Sequence, residues 1–232
     1  MPQQSDEENW APPVEELHVG DISPEALNLN VEGRQLTGPL QGFGQMWQKT
    51  YRVKIGDVKP EEVISTWKAE YGEFWPATNR FYAPITGIKP GEVGVINAKQ
   101  GPVKLSTGVF VLYVDDTSFS YMTPQGHPFA GWITFSAFEE DDETIAQVQL
   151  LMRANDPLYE AGFMMGGSRT EDKMWHHTLR AVAEYFGSDA NVEMEKAKVD
   201  RKRQWERFGN VRYNSMIRTW IRKPVGWGNE KG

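Results

Sequence analysis

Apolar and polar residues alternate along several stretches of the chain, which is typical of strands with one buried face. The first stretch is 45–55, where Trp47, Tyr51 and Val53 fall on the apolar side. Lys49 falls on that same side. Two interpretations stay open for it: the amine reaches water at a sheet edge, or it serves as a cation in a pocket.

Further strand-like stretches follow at short intervals, separated by turn signals. They are 91–98, 103–114, 117–122, 129–138 and 144–154. The acidic run 139–143 lies between two of them, where a charged hairpin turn is more common than a cation site. Regular short strands joined by turns favour a meandering antiparallel sheet.

Two segments have helical spacing instead. Pro60 suits a first helical position, and the segment that follows predicts one helix or two short ones before Pro76. In 171–186, apolar residues recur at three- and four-residue steps from Trp175 to Phe186, so a long amphipathic helix is expected there.

The order of elements is strand, helical segment, antiparallel strands and long terminal helix. With the stretches GQMWQKTYRV, GHPFAGWITFSAF and AEYF, residues 45–187 resemble the START-like helix-grip (SRPBCC) superfamily, which includes polyketide cyclases and dehydratases. The resemblance implies an α+β fold in which a curved antiparallel sheet wraps around the C-terminal helix, with an apolar cavity between them. Members rarely share catalytic residues, so the resemblance implies a fold and not a reaction.

Three regions are predicted: an acidic, partly disordered arm (1–40), a helix-grip domain (41–187) and a basic helical extension (188–232). From Lys196 to Lys223 there are ten basic and two acidic residues, within a chain of net charge −7. Residues 213–221 have the pattern of a basic amphipathic helix. We expect this extension to dock on its own domain or on a second copy, as in a homodimer, rather than on nucleic acid or a membrane.

Composition narrows the function classes. Nine Trp, eight Tyr and eleven Phe need a large core or a roomy apolar pocket. There are no cysteines, which excludes disulfides and thiol chemistry and fits a cytoplasmic protein. The acidic, Pro-rich N-terminus has no apolar core of a signal peptide, and no apolar run is long enough to span a membrane.

Motifs for metal or nucleophilic chemistry are missing from the sequence. His176 and His177 are adjacent, so they point about 100° apart on a helix instead of sharing a face. The segment GFMMGGSR has neither a nucleophile elbow nor a phosphate-binding loop. Neither a metal nor a cofactor is predicted. This glycine-rich segment is interpreted either as an ordinary loop or as the mobile mouth of a cavity.

The predicted ligand is a hydrophobic or aromatic small molecule held between the sheet and the terminal helix. His127, in the turn TPQGHP, is interpreted mainly as a turn residue and otherwise as an acid–base group. Two alternatives remain: a cyclase or dehydratase-type enzyme, or a non-catalytic protein that oligomerises through its basic tail. The candidate ligand-binding residues are Lys49, Trp67, Phe74, Tyr113, Tyr121, His127, Trp132, Met152, Met174 and Thr178.

Overall fold

The computed structural model describes residues 6–100 and 103–222. The first five residues of the predicted arm and the last ten of the predicted extension lie outside the described residues. Within the described ranges, nine strands form one antiparallel sheet in the order β3-β4-β5-β6-β7-β8-β2-β9, with β1 paired to β6. The strands are β1 (Leu36–Thr37), β2 (Met46–Gly56), β3 (Asn79–Tyr82), β4 (Val93–Gln100), β5 (Val103–Val114), β6 (Ser118–Pro124), β7 (Phe129–Glu140), β8 (Glu143–Ala154) and β9 (Glu193–Asp200).

A long helix crosses the inner face of this curved sheet and packs on β2 and β8. Its buried stripe is Trp175, Leu179 and Val182, as the helical spacing predicted. The helices are α1 (Pro60–Ala69), α2 (Pro157–Gly162), α3 (Ser168–Tyr185) and α4 (Ser215–Arg222), and a π-helical turn, Phe163–Gly167, joins α2 to α3. The α+β helix-grip fold predicted from the sequence is confirmed.

The acidic run makes a tight hairpin turn between β7 and β8. Asp141 and Asp142 have φ angles of 52° and 63°, in the left-handed region that a two-residue hairpin turn requires. Asp tolerates this region better than most residues, and both side chains are exposed. The prediction of a charged turn here is confirmed.

Aromatic residues fill the inner face beneath α1. Trp67 is fully buried and packs edge-on against Phe135 with ring centroids 5.3 Å apart, while Phe119 stacks on Phe135 at 4.7 Å. Tyr71 meets both phenylalanines from the end of α1. This packing accounts for much of the aromatic content, because each such ring buries a large apolar area.

The N-terminal arm lies along the outer face of the sheet. Leu17 and Val31 are completely buried there, packed with Val93, Val95 and Phe110 of β4 and β5. Because its apolar residues show little periodicity, the sequence left two interpretations open, partial disorder or an arm that wraps around the domain. A docked segment needs no periodicity when only scattered residues face the protein. The boundaries at residues 41 and 187 stay predictions.

The C-terminal extension differs from the helical prediction at Glu193–Asp200, which is β9 and pairs with β2. Farther on, α4 packs on the outer side of β5. Ser215 and Thr219 are fully buried, and the Asn30 side-chain amide donates to the Ser215 carbonyl at 3.2 Å and to Thr219 Oγ1 at 2.9 Å. This part of the extension therefore docks on its own chain, while homodimerisation stays a prediction.

Candidate functional site

A cavity of about 670 Å³ lies between the inner face of the sheet and the α2–α3 segment. Strands β4 to β8 supply its floor through apolar side chains such as Ile96, Val109 and Leu150, and α3 supplies Met174. Because alternate residues of a strand share a face, the inward positions of neighbouring strands line one continuous surface. The volume is in the range of sites that hold small organic molecules.

Half of the candidate residues line this cavity and half do not. The lining includes Tyr121, His127, Trp132, Met152 and Met174. Trp132 contributes although 40% of it is exposed to solvent. The remaining candidates lie elsewhere, and they are Lys49, Trp67, Phe74, Tyr113 and Thr178.

Packing explains why four of these five miss the cavity. Trp67 is a residue of α1 whose side chain is part of the hydrophobic core. Phe74 packs edge-on against Tyr185, with ring centroids 5.8 Å apart. Tyr113 faces away from the cavity, with its ring 4.7 Å from that of Trp10 in the arm. Thr178 is fully buried on the core side of α3. The spacing of apolar residues along a strand or helix predicts which face is buried. It does not show whether a buried residue packs in the core or lines a cavity.

Several buried polar atoms on the cavity wall have no hydrogen-bond partner among the described residues. Tyr121 Oη and Thr107 Oγ1 belong to side chains that are each 1% exposed, and Asn79 Oδ1 is also unpartnered. Burial raises the pKa of Tyr121 well above its ordinary value, so the phenol keeps its proton.

His127 both shapes its turn and lines the cavity. Its backbone N–H donates to the Pro124 carbonyl at 3.1 Å, and Nδ1 accepts from the Phe129 N–H at 3.1 Å. Burial lowers the pKa of His127 to about 4, so the imidazole is neutral at neutral pH. The turn interpretation is confirmed, and the ring adds a neutral polar group to the lining.

Lys49 is 1% exposed and forms the centre of a buried group of charges, the inner cluster, which comprises Lys49, Tyr51, Glu171 and Asp172. Its amine pairs with Glu171 and, at 2.5 Å, with Asp172, to which Tyr51 Oη also donates at 2.7 Å. The edge interpretation for Lys49 is wrong, since β9 covers β2 and leaves no edge there.

Glu171 connects the inner cluster to the cavity. Its side chain lines the cavity, is 9% exposed, and accepts from Trp175 Nε1 at 2.9 Å. Burial raises the pKa of Glu171, although Lys49 acts in the opposite direction. For Asp172, burial is outweighed by hydrogen bonds from Lys49 and Tyr51, which hold its pKa below the ordinary value. The pKa values of these two adjacent carboxyl groups are therefore shifted in opposite directions.

Sequence reasoning missed Glu171 because an acidic residue in the first turn of a helix has an ordinary explanation in the helix dipole. Spacing offered a signal, however. Glu171 stands four residues before Trp175, so it continues the apolar stripe of α3 toward the N-terminus. A charged residue on a buried stripe needs partners, and Lys49 was the matching charge on an apolar strand face.

The glycine-rich segment lies at one end of the cavity as a π-helical turn. Gly162, Phe163 and Gly167 contribute to the lining, whereas Met164 and Met165 are 67% and 87% exposed. The segment has helical backbone on both sides of a kink at Gly166, whose φ of 122° is not helical, and its position beside the cavity matches the predicted mouth. Its mobility stays a prediction.

The C-terminal extension closes another side of the cavity. Met216 is part of the lining, and its backbone N–H donates to Tyr159 Oη at 3.0 Å. The preceding Asn214 donates to the buried Asp156 carboxylate at 2.8 Å. Because the resemblance covered only residues 45–187, it carried no expectation that residues from the extension would complete the wall.

The two adjacent histidines of α3 do not form a metal site. His176 packs its ring against Tyr51 with centroids 5.7 Å apart, and His177 is exposed. In the part of the chain that the structure describes, no group of three or more His, Asp or Glu side chains is arranged to hold a metal ion. No helix among residues 6–100 and 103–222 is both long and apolar enough to cross a membrane.

Comparison with protein-family models and with curated proteins gives no match. Among solved structures, a START superfamily protein from Mycobacterium smegmatis is 19% identical over 62% of this chain and 97% of its own, with a TM-score of 0.42. The di-domain ARO/CYC StfQ from the steffimycin biosynthetic pathway is 8% identical over 61% of this chain and 51% of its own, with a TM-score of 0.45. Ara h 8.0201 is 12% identical over 61% and 97%, with a TM-score of 0.39.

Proposed function

We propose that this protein binds a hydrophobic or aromatic small molecule in the cavity between the sheet and α3. The observation that carries the proposal is a cavity of about 670 Å³ with a mainly apolar lining inside a closely packed domain. A mainly apolar cavity of this size is typical of sites that bind small organic molecules.

The polar atoms on the wall refine the proposed ligand. Tyr121 and Thr107 each bury a hydroxyl that has no partner among the described residues, and such a group costs free energy until something bonds to it. An apolar ligand that carries hydroxyl or carbonyl oxygens would satisfy them. The proposed contacts are Tyr121, His127, Trp132, Met152 and Met174, with Lys49 acting through Glu171.

Occupancy is tested by filling the cavity with protein atoms. Met174→Trp places a large ring in the cavity, whereas Met165→Trp makes the same exchange at a site that is 87% exposed. We expect a neutral fluorescent naphthylamine probe to bind the parent and M165W and to lose its binding in M174W. Equal binding by M174W would place the probe elsewhere and contradict the proposal.

Native mass spectrometry of freshly purified protein is the companion measurement. It is expected to show a co-purifying molecule that is present in M165W and lost in M174W. The same spectra count subunits and so test the predicted homodimer. Every mass matching the bare chain, together with no probe binding, would overturn the proposal.

A second candidate is an acid–base enzyme of the cyclase or dehydratase kind, favoured by one observation. Glu171 is a buried carboxyl on the cavity wall, and burial raises its pKa toward the range where an acid–base catalyst works. The test is conversion of the molecule identified by mass spectrometry. Glu171→Gln should bind it without converting it, and an unchanged turnover in E171Q would exclude this role.

A further inference from the structure

Four arginines lie near Tyr213 and α4 on the outer side of the sheet, and we call them the arginine cluster: Arg34, Arg212, Arg218 and Arg222. Arg34 is buried, Arg218 is half-buried, and Arg212 and Arg222 are exposed. Arg34 belongs to the arm and is only 8% exposed. Its guanidinium lies 5.4 Å from the centroid of the Tyr213 ring, and that of Arg212 lies 4.7 Å from the same centroid. Tyr213 immediately precedes α4, so docking of α4 brings these residues together.

Arg218 and Arg222 are four residues apart in α4 and therefore share a face of that helix. The Nε atom of Arg218 is buried and has no hydrogen-bond partner among the described residues. Within residues 6–100 and 103–222, none of the four guanidiniums pairs with a carboxylate.

Two arginines elsewhere in the chain are paired with carboxylates. Arg153 is 1% exposed, pairs with Asp200, and donates to the carbonyls of Gly44 and, at 2.8 Å, Lys202. Arg203 pairs with the buried Glu160 at 3.0 Å. The fold therefore supplies a carboxylate for each of these two guanidiniums, and among the described residues the arginine cluster differs from them in having none.

Burial and mutual repulsion both act on the arginine cluster. Burial lowers the pKa of Arg34, and the positive charges of Arg218 and Arg222 lower it further. Burial also lowers the pKa of Arg218, with Arg222 adding to the effect. Charges that are buried near like charges destabilise a protein unless a counter-charge is supplied.

We propose that Arg34, Arg218 and Arg222 form a binding site for a phosphate group. Guanidinium is planar and presents paired N–H donors that match phosphate oxygens, and an anion bound between several guanidiniums offsets their mutual repulsion. The phosphate belongs either to a free small molecule or to a lipid headgroup. Trp220 and Ile221 lie beside the site on α4 and are 73% and 68% exposed.

Calorimetric titration of the full chain with inorganic phosphate and with pyrophosphate tests the site. Saturable binding is expected, with an affinity lowered about tenfold or more in Arg218→Gln through loss of a charge-assisted contact. Arg207→Gln is the matched control, since Arg207 is exposed and lies outside the arginine cluster. Absence of saturable binding, or an equal loss in R207Q, would overturn the proposal.

Thermal unfolding gives a second readout that does not depend on the affinity. In phosphate-free buffer, R218Q should unfold at or above the temperature of the parent, because a charge that repels the buried Arg34 has been removed. Phosphate should raise the midpoint of the parent and of R207Q by the same amount, and that of R218Q by less. A destabilised R218Q whose midpoint rises with phosphate as much as that of the parent would contradict the site.

The two sources of phosphate are separated with vesicles. Cosedimentation is measured with phosphatidylcholine vesicles prepared with and without phosphatidic acid. Binding that requires phosphatidic acid and is lost in R218Q supports a lipid headgroup, whereas phosphate binding without vesicle binding supports a free ligand. Vesicle binding that R218Q retains would contradict a headgroup site. The cavity experiments do not depend on this result, because M174W alters the opposite face of the sheet.

Discussion

Lys49 lies on the inner face of the sheet and Arg34 on its outer side, and both are almost completely buried. The fold surrounds Lys49 with Glu171 and Asp172, so the charge is neutralised within the chain. Arg34 instead has Arg218 and Arg222 nearby and no carboxylate partner among the described residues. The two cations are buried to a similar degree but have opposite electrostatic environments.

The difference separates a structural charge from one that is available to a ligand. A buried ion pair with complete hydrogen bonding is part of the folded structure. Removing one partner destabilises the protein, because the other charge is left buried without a counter-charge. A buried cation without a partner has a cost that an external anion would remove. The hydroxyls of Tyr51 and Tyr121 show the same contrast for neutral groups, since only that of Tyr51 has a hydrogen-bond partner in the part of the chain that the structure describes.

The largest effect is expected at Lys49. Lys49→Met leaves two carboxylates in the inner cluster without their cation and should lower the free energy of unfolding by about 3–5 kcal/mol, measured by urea denaturation. Lys54→Met is the matched control on the same strand, because Lys54 is exposed and its pair with Glu143 lies in solvent. If K49M costs no more than K54M, the inner cluster is not a structural ion pair.

Much of the architecture was predictable because it depends on repeating patterns. The alternation in 144–154 and the apolar stripe of α3 each specify a face, and together they predicted a sheet gripping a helix. The alternation also placed Lys49 on the apolar side of its strand, although the interpretation that its amine reaches water at a sheet edge was wrong. Its partners were not predictable, because Glu171 and Asp172 follow it by more than a hundred residues and only the packing of α3 on β2 brings them close.

The contribution of the extension was beyond sequence reasoning for the same reason. The Ser215 N–H donates to the Gly126 carbonyl at 2.9 Å, and a Cβ at Gly126 would lie 2.0 Å from the Tyr213 carbonyl oxygen. Gly126 was explained as ordinary turn chemistry, which its φ of 84° supports. No local pattern indicates that the turn also receives a segment from the far end of the chain, or that Met216 lines the cavity.

A smaller effect, on the pH dependence of stability, is expected at His127. The fold pairs Lys49 with carboxylates, whereas it keeps His127 neutral by burial. Burial lowers its pKa from 6.5 to about 4, so the unfolded chain takes up a proton first as the pH falls. Its contribution to stability is complete above pH 6.5 and decreases toward pH 4, by about 2 kcal/mol at pH 5.

His127→Asn should remove that loss, because the Asn oxygen can still accept from the Phe129 N–H and does not titrate. Thermal unfolding midpoints at pH 7 and pH 5 measure this loss of stability. The decrease in the midpoint between the two pH values should be larger by about 4–8 °C in the parent than in H127N. The control is His18→Asn, an exposed histidine paired with Glu32. If H127N and the parent respond identically to pH, His127 is not held neutral by burial.

The smallest effect compares the two buried tyrosines of the inner face. Tyr51→Phe removes a hydrogen bond to Asp172 and should cost about 1–2 kcal/mol, whereas Tyr121→Phe removes a hydroxyl with no partner within residues 6–100 and 103–222 and should change stability by less than about 0.5 kcal/mol. Urea denaturation of both variants measures the difference.

Ligand binding should reverse the order, with Y121F weakening the affinity for the co-purifying molecule more than Y51F does. An equal loss of stability in both variants would mean that the Tyr121 hydroxyl already has a partner, and it would remove Tyr121 as a polar contact for the ligand.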